Sequence, residues 1–360
     1  KTHFEVVAFM ENKILVNGSY QQIAPENAVK TESKVEFTYE VDVKANNTAT
    51  IQKFGGYVVS TNHAKDELIN AAKNVLLQAN EQGYEQLLTN QKLAWAKTWE
   101  MSDITIDGDV EAQQGIRFNI FQLNQTYSGK DARLNIGPKG FTGEKYGGST
   151  YWDTEAYCLP FYMATKNQEV ARNLLMYRYN QLDKAIENGE KLGFKNGAAL
   201  YPMVTMNGEE CHNEWEITFE EIHRNAAIAF AIFNYTRFTG DQSYIPEAGL
   251  EVLLGIARFW QQRVNWSANK QQFVMLGVTG PNEYENNVNN NFHTSYCAQW
   301  CINYTLEQIE NIKTNYPQDY ERIVAKTSIN AEELVAMKNI ADNMYLPFSE
   351  EHDVYLQQDG

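Results

Sequence analysis

The 360-residue chain has few cysteines, few basic residues and no long apolar run. Its four cysteines are too few for a disulfide scaffold in a chain of this length. They include no C-x-x-C pair, which argues against a zinc ribbon or a dithiol redox site. The chain has 30 Lys and Arg residues and 46 Asp and Glu residues, which gives a formal charge of −16. This charge makes nucleic acid and anionic membranes poor partners. No stretch is long and apolar enough to predict a membrane-spanning helix. We therefore expect a soluble protein, and we predict a cytoplasmic location for it.

The first 62 residues show the hydrophobic pattern of β-strands. Apolar side chains alternate with polar ones over residues 35–43, which is the period of a strand with one buried face. Further strands are predicted at 14–16, before the turn signal Asn17-Gly18, and at 51–60. Because no helix separates these strands, residues 1–62 are predicted to be part of an antiparallel β-sandwich.

The hydrophobic period becomes helical from residue 63. Apolar side chains follow helical spacing over 68–79 and again over 84–100, and Gly83 interrupts the pattern. Asp109 is a candidate N-cap for the next helix. Residues 63–110 are therefore predicted to be a helical linker.

Beyond residue 110, predicted helices alternate with long polar loops. Without strands between the helices, a βαβ sheet and a TIM barrel are disfavoured, and residues 111–360 are predicted to be mainly α. The predicted helices are 116–127, 155–165, 168–190, 219–239, 247–264, 295–312 and 331–344. Long loops in helical proteins are usually functional, so the candidate site residues are sought in loops 128–154, 193–218 and 269–294.

The first loop is rich in glycine but lacks both nucleotide-binding glycine motifs. It ends in Tyr151-Trp152-Asp153, an aromatic pair beside a carboxylate. The apolar face of a pyranose packs on an indole ring, and a carboxylate accepts hydrogen bonds from sugar hydroxyls, so this segment predicts a sugar site. Alternatively, Trp152 belongs to the core and Asp153 caps the next helix.

The second loop ends in an acidic segment, residues 211–223, which runs into the next predicted helix and contains His212 and His223. A metal site is disfavoured because HExxH is absent and because glutamates are common at helix starts. An acidic sugar-binding loop is the preferred interpretation, and a solvated acidic turn is the alternative.

The third loop contains Gly280-Pro281-Asn282-Glu283-Tyr284-Glu285 and several asparagines. On an extended backbone Glu283 and Glu285 face opposite sides, so they are not expected to form one acid–base pair. One of them, shielded from water by Pro281 and Tyr284, could have a raised pKa and act as a general acid. The alternative is an ordinary surface loop.

Taken together, these loops resemble family 65 of the glycoside hydrolases and phosphorylases. The segments that carry the resemblance are Tyr151–Glu155, Glu214–Thr218, Glu221–Asn225, Gly280–Asn287, Gln114–Asn119 and Asp131–Gly143. The family fold implies a β-sandwich, a helical linker, an (α/α)6 barrel and a small C-terminal β-domain. About seven predicted helices cannot supply the twelve of a whole barrel. We therefore expect a mainly α chain holding an incomplete (α/α)6 barrel over 111–360, preceded by the linker and the end of the sandwich.

The resemblance implies inverting phosphorolysis, in which phosphate attacks the anomeric carbon of an α-glucosyl disaccharide. It makes Glu283 the general acid, and it makes Trp152, Asp153, Trp215 and Glu216 contacts of the donor glucose. The loop 212–220 would shape the acceptor pocket, and its form here favours maltose. His212, Glu214 and Glu285 complete the expected substrate-binding set, with Glu285 next in line as the acid.

The resemblance implies no cofactor and no metal, since inorganic phosphate is a co-substrate. In the family, the phosphate-binding Ser and His residues lie beyond the segment that this chain resembles, and a homodimer is expected. The alternatives are a phosphorylase for trehalose, kojibiose, nigerose or trehalose 6-phosphate, an inverting α-glucoside hydrolase, and a non-catalytic sugar-binding fragment.

Overall fold

A computed structural model describes residues 3–138, 140, 146–211 and 216–359. The chain divides into two compact units, and the boundary lies between Glu100 and Met101. Within the described residues, no helix is long and apolar enough to cross a membrane.

The first unit is built on an antiparallel sheet. Strand β1 (Val6–Val16) pairs along its whole length with β5 (Ala49–Val59), and its other edge pairs with β2 (Ser19–Gln21). Asn17 and Gly18, both with positive φ, form the two-residue turn between β1 and β2. The predicted strands and the turn signal are therefore confirmed here.

The strand predicted over 35–43 is shorter than expected. Strand β4 (Val35–Thr38) pairs with β3 (Asn27–Lys30) and ends at Thr38. The last ladder contact is the hydrogen bond from the Glu26 N–H to the Thr38 carbonyl, 2.8 Å long. Pro25 precedes Glu26 and has no N–H group to donate, so the ladder cannot continue in spite of the alternating pattern.

Helix α1 (Leu68–Ser102) contains the predicted interruption. Gly83 has φ 75° and ψ 164°, which is outside helical geometry and favours glycine. The next helix, α2, begins after Asp109, whose carboxylate accepts a 2.9 Å hydrogen bond from the Ala112 N–H. The predicted N-cap is confirmed.

The second unit is mainly helical, and its described helices differ in detail from the prediction. They are α2 (Val110–Thr126), α3 (Leu159–Thr165), α4 (Gln168–Tyr179), α5 (Leu182–Lys191), α6 (Ile217–Glu220), α7 (Arg224–Thr239), α8 (Leu250–Arg263), α9 (Phe292–Asn315), α10 (Pro317–Thr327) and α11 (Ala331–Asp342). Five-residue π-helical turns, Thr154–Cys158 and Ile245–Gly249, precede α3 and α8. The helix predicted over 168–190 is broken between α4 and α5, and α10 was not predicted.

The second unit also contains two short strand pairs, one between α8 and α9 and one after α11. They are β6 (Asn265–Ser267) with β7 (Gln272–Val274), and β8 (Phe348–Ser349) with β9 (Val354–Tyr355). Helix α8 is buried from Leu250 to Trp260 and packs against α5, α7, α9 and α11. A helix that is buried all round lies at the centre of its domain. The predicted order, antiparallel β-structure followed by a mainly α region, is confirmed.

Candidate active site

The first and second loops meet at a short β-bridge. Thr150 and Thr205 exchange backbone hydrogen bonds of 2.7 and 3.1 Å. The Tyr151 side chain is buried in a small cluster with Met203 and Val204. This bridge fixes the start of the Tyr151-Trp152-Asp153 segment.

Trp152 lies half-buried among aromatic rings from other loops. Its ring contacts that of His223 edge to face, with 4.9 Å between centroids, and His223 contacts His293 at 5.3 Å. Asp153 precedes a π-helical turn, a feature often found at functional sites, and it makes no capping hydrogen bond. The interpretation of Asp153 as a helix cap is therefore wrong.

A buried ion pair supports this segment from behind. The Arg178 guanidinium donates hydrogen bonds of 2.6 and 3.0 Å to the Glu155 carboxylate, and both side chains are almost fully buried. Arg178 also donates to the Tyr151 carbonyl at 3.3 Å. The pair thus connects α4 to the backbone that carries Trp152 and Asp153.

The second loop is described only in part. His212, Glu214 and Trp215 lie outside the described residues. Glu216 is exposed immediately before helix α6. Its predicted contact with sugar stays a prediction.

The third loop is closed by a bridge between Val278 and Val288, whose two backbone hydrogen bonds are 2.9 Å long. Inside it the chain turns, with the Glu285 N–H donating to the Asn282 carbonyl at 3.2 Å. The opposite orientation expected for Glu283 and Glu285 assumed an extended backbone, which the loop does not have.

The asparagines of this loop hydrogen-bond the backbone. The side-chain oxygens of Asn289 and Asn290 accept from the N–H groups of Gly277 and Met275, at 3.1 and 2.9 Å. Asn291 caps α9, and Gly280 lies so close that a Cβ atom there would be 2.6 Å from the Asn291 amide nitrogen. The unusual composition is thus explained by loop geometry.

Glu220 ties the third loop to the second. Its carbonyl oxygen accepts from the Thr279 N–H at 3.1 Å. One oxygen of its carboxylate accepts from the Thr279 hydroxyl at 2.7 Å and from the Asn287 N–H at 2.9 Å. The segment 279–287, which carries Glu283, is therefore anchored directly beside Glu221.

Three carboxyl groups from three loops come together at this point. Burial raises the pKa of Glu221 to about 8, and the neighbouring Glu283 carboxyl adds to the increase. Burial also raises the pKa of Asp153, with further contributions from Glu155 and Glu283. Asp153, Glu221 and Glu283 thus form one electrostatic cluster beside the Trp152 ring.

The predicted shielding of one of the two glutamates is wrong, because Glu283 and Glu285 are both exposed. Glu283 is exposed, and Tyr284, expected to cover it, is 97% exposed because the turn directs its ring outward. Among Asp153, Glu221 and Glu283, the strongly buried carboxyl is that of Glu221, which is 1% exposed.

His223 and Arg224 border the cluster at the start of α7. Burial, together with His293 and Arg224, lowers the pKa of His223 to about 3, so its ring is neutral near pH 7. The Arg224 guanidinium donates to the carbonyls of Tyr201, Thr218 and Glu221 at 2.7, 2.8 and 3.0 Å. Arg224 therefore holds the backbone of the second loop.

Sequence reasoning missed Glu220, Glu221 and His223 as individual site residues. They lie in the acidic segment 211–223 that was predicted to bind sugar. Their pKa values depend on burial, which local sequence does not predict.

A separate groove of about 1010 Å³ lies between α5, α8 and α11. None of its described lining residues is aromatic, and the Arg258–Glu333 ion pair, 2.6 Å long, borders it. Because the predicted site residues are elsewhere, this groove is not the candidate active site. In the described ranges, no group of three His, Cys, Asp or Glu residues is arranged to hold a metal ion.

Two family models match the chain. The model described as the glycosyl hydrolase family 65 central catalytic domain covers residues 117–360, and the N-terminal domain model of the same family covers residues 1–98.

Individual relatives are phosphorylases. The chain is 48% identical to a maltose phosphorylase of Bacillus subtilis (strain 168) over 99% of this chain and 44% of the relative. It is 34% identical to an alpha,alpha-trehalose phosphorylase of Thermoanaerobacter brockii over 100% of this chain and 46% of the relative. A solved structure described as a kojibiose phosphorylase from the human microbiome matches with a TM-score of 0.86 at 29% identity, covering 100% of this chain and 46% of its own. The chain spans about half the length of the curated relatives it matches.

Proposed function

Because the chain belongs to glycosyl hydrolase family 65, we propose that it forms part of an inverting phosphorylase that cleaves an α-glucosyl disaccharide with inorganic phosphate. The observation that carries the proposal is the meeting of Asp153, Glu221 and Glu283, from three separate loops, beside the half-buried Trp152 ring. An aromatic face packs against a pyranose ring. A neighbouring carboxyl group donates a proton to the glycosidic oxygen. Maltose is the proposed substrate, supported by the 48% identity to a maltose phosphorylase.

In this proposal Glu283 is the general acid. It protonates the glycosidic oxygen while a phosphate oxygen attacks the opposite face of the anomeric carbon, and the products are β-glucose 1-phosphate and glucose. An inverting hydrolase needs a second carboxylate to activate water, whereas phosphate is already an adequate nucleophile. Glu283 is exposed on an anchored loop, so it can reach a sugar bound from solvent.

Substrate binding is assigned to residues of all three loops. Trp152 packs against the donor glucose, and Asp153 accepts hydrogen bonds from its hydroxyls. Trp215 and Glu216 are proposed to contact the same sugar. The remaining substrate contacts are assigned to His212, Glu214 and Glu285, the first two in the loop that shapes the acceptor pocket.

The proposed organisation is the end of a β-sandwich over 1–62, a helical linker over 63–110 and part of an (α/α)6 barrel over 111–360. The assembly proposed for the full-length protein is a homodimer. Size-exclusion chromatography with light scattering would test the dimer.

The deciding experiment uses the full-length protein with maltose, trehalose, kojibiose and nigerose, each with and without phosphate. Proton NMR identifies the anomer of each product. Phosphate-dependent β-glucose 1-phosphate from maltose alone is the expected result. The same product from another disaccharide would change the substrate assignment, and equal glucose release without phosphate would make the protein a hydrolase.

A further inference from the structure

Glu221 is a buried carboxyl group that the proposed reaction does not yet use. Its side chain is 1% exposed and lies immediately after helix α6. Neither of its carboxyl oxygens has a hydrogen-bond partner in the described ranges. A buried carboxyl with so few partners is more stable with a proton than without one.

The loop geometry keeps Glu221 near the loop that carries Glu283. Glu220, the preceding residue, binds the third loop through hydrogen bonds from Thr279 and Asn287. The Val278–Val288 bridge closes the same loop. The two loops therefore stay together unless several hydrogen bonds break.

The charged and titratable groups around Glu221 oppose its ionisation on balance. Asp153 and Glu283 place negative charge near it, and the ring of His223, 3.8 Å away, is neutral near pH 7. Arg224 favours ionisation, but its N–H groups are directed to backbone carbonyls. Neighbouring negative charge disfavours a further charge on Glu221, so Glu221 retains its proton to a higher pH than a lone carboxyl does.

We propose that Glu221 is a positioning residue that stores the proton that Glu283 delivers to the glycosidic oxygen. This role rests on the proposed phosphorolysis. The single proton stored on Glu221 passes to Glu283, which delivers it to the leaving oxygen as the bond between that oxygen and the anomeric carbon breaks. A phosphate oxygen forms the new bond to the anomeric carbon. The phosphate monoester, or solvent, then returns one proton to the pair.

The test compares wild type and Glu221→Gln in the full-length protein. With maltose and phosphate, kcat/KM is measured as a function of pH. Its fall on the alkaline side, called the high-pH limb, is expected to be centred near pH 8 in wild type and at least about one pH unit lower in the variant. α-Glucosyl fluoride provides the matched substrate, because fluoride leaves without being protonated. Turnover of the fluoride with phosphate is expected to stay within about threefold of wild type, since only the acid step has changed.

Glu190→Gln, on the exposed face of α5, is the control. It is expected to change neither the pH dependence with maltose nor the turnover of α-glucosyl fluoride. An unshifted limb in Glu221→Gln, or an equal loss with maltose and fluoride, would overturn the storage role. If Glu221→Gln does not fold, Glu221→Asp is measured, and it is expected to keep a limb above pH 7. Wild-type protein without phosphate-dependent turnover of any disaccharide or of the fluoride would overturn the proposed function itself.

Discussion

The Thr279 hydroxyl donates a 2.7 Å hydrogen bond to the Glu220 carboxylate and so joins the loop of Glu283 to the residue next to Glu221. Thr279 is fully buried. A hydrogen bond to a charged group is among the stronger individual contacts in a protein, and this partly buried one holds the loop of Glu283 to the residue before Glu221.

Replacing Thr279 by Val is expected to weaken this connection. The change keeps the shape but removes the donor, so the free energy of unfolding should fall by about 1–3 kcal/mol and kcat with maltose should fall with it. Urea unfolding and steady-state kinetics measure the two effects. Thr279→Ser, which retains the hydroxyl group, is the matched control, and equal losses in both variants would show that the methyl group matters instead.

Glu283→Gln tests the assignment of the general acid. The amide cannot donate a proton to the leaving oxygen, so kcat with maltose should fall by about 10²- to 10⁴-fold. Sugar binding, measured by calorimetry, should change little. Near-normal turnover would reassign the acid, and Glu285→Gln would then be expected to show the large loss.

Glu155→Gln tests the buried ion pair behind Trp152. The change leaves Arg178 buried without its counter-charge, which costs about 3–5 kcal/mol of unfolding free energy. Thermal unfolding measures the loss. Glu187→Gln breaks exposed ion pairs with Lys184 and Lys191 and is expected to shift the midpoint far less.

Stability should depend on pH through Glu221 and His223 with opposite signs. The folded-state pKa of Glu221 is raised from 4.5 to about 8, so its contribution is fully present below about pH 4.5 and is lost as the pH rises to about 8. The folded-state pKa of His223 is lowered from 6.5 to about 3, so its contribution is present above about pH 6.5 and is lost as the pH falls to about 3.

The pH dependences of stability due to Glu221 and His223 cancel between about pH 4.5 and 6.5. Above about pH 6.5, of these two residues only Glu221 still contributes a pH dependence. Stability should then fall by up to about 1.4 kcal/mol per pH unit until about pH 8. Denaturant midpoints measured from pH 5 to 8.5 test this, and Glu221→Gln should flatten the decline. A decline of the same steepness in the variant would assign it to other groups.

Local sequence determined most of the secondary structure. The Asn17-Gly18 turn, the interruption at Gly83 and the Asp109 cap each depend on the conformational or hydrogen-bonding preference of a single residue, so they could be predicted. The strand over 35–43 could not be predicted to its end, because its length depends on Pro25, which precedes the partner strand β3.

At the candidate site, motif resemblance identified Trp152, Asp153 and Glu283 before any geometry was known. Only the tertiary structure decided which carboxyl group is buried. Tyr284 follows Glu283 in sequence yet is directed into solvent, whereas Glu221, some 60 positions away in the chain, lies beside Glu283. Burial and charge proximity arise from contacts between distant segments, and these contacts set the pKa values on which the proposed proton transfer depends.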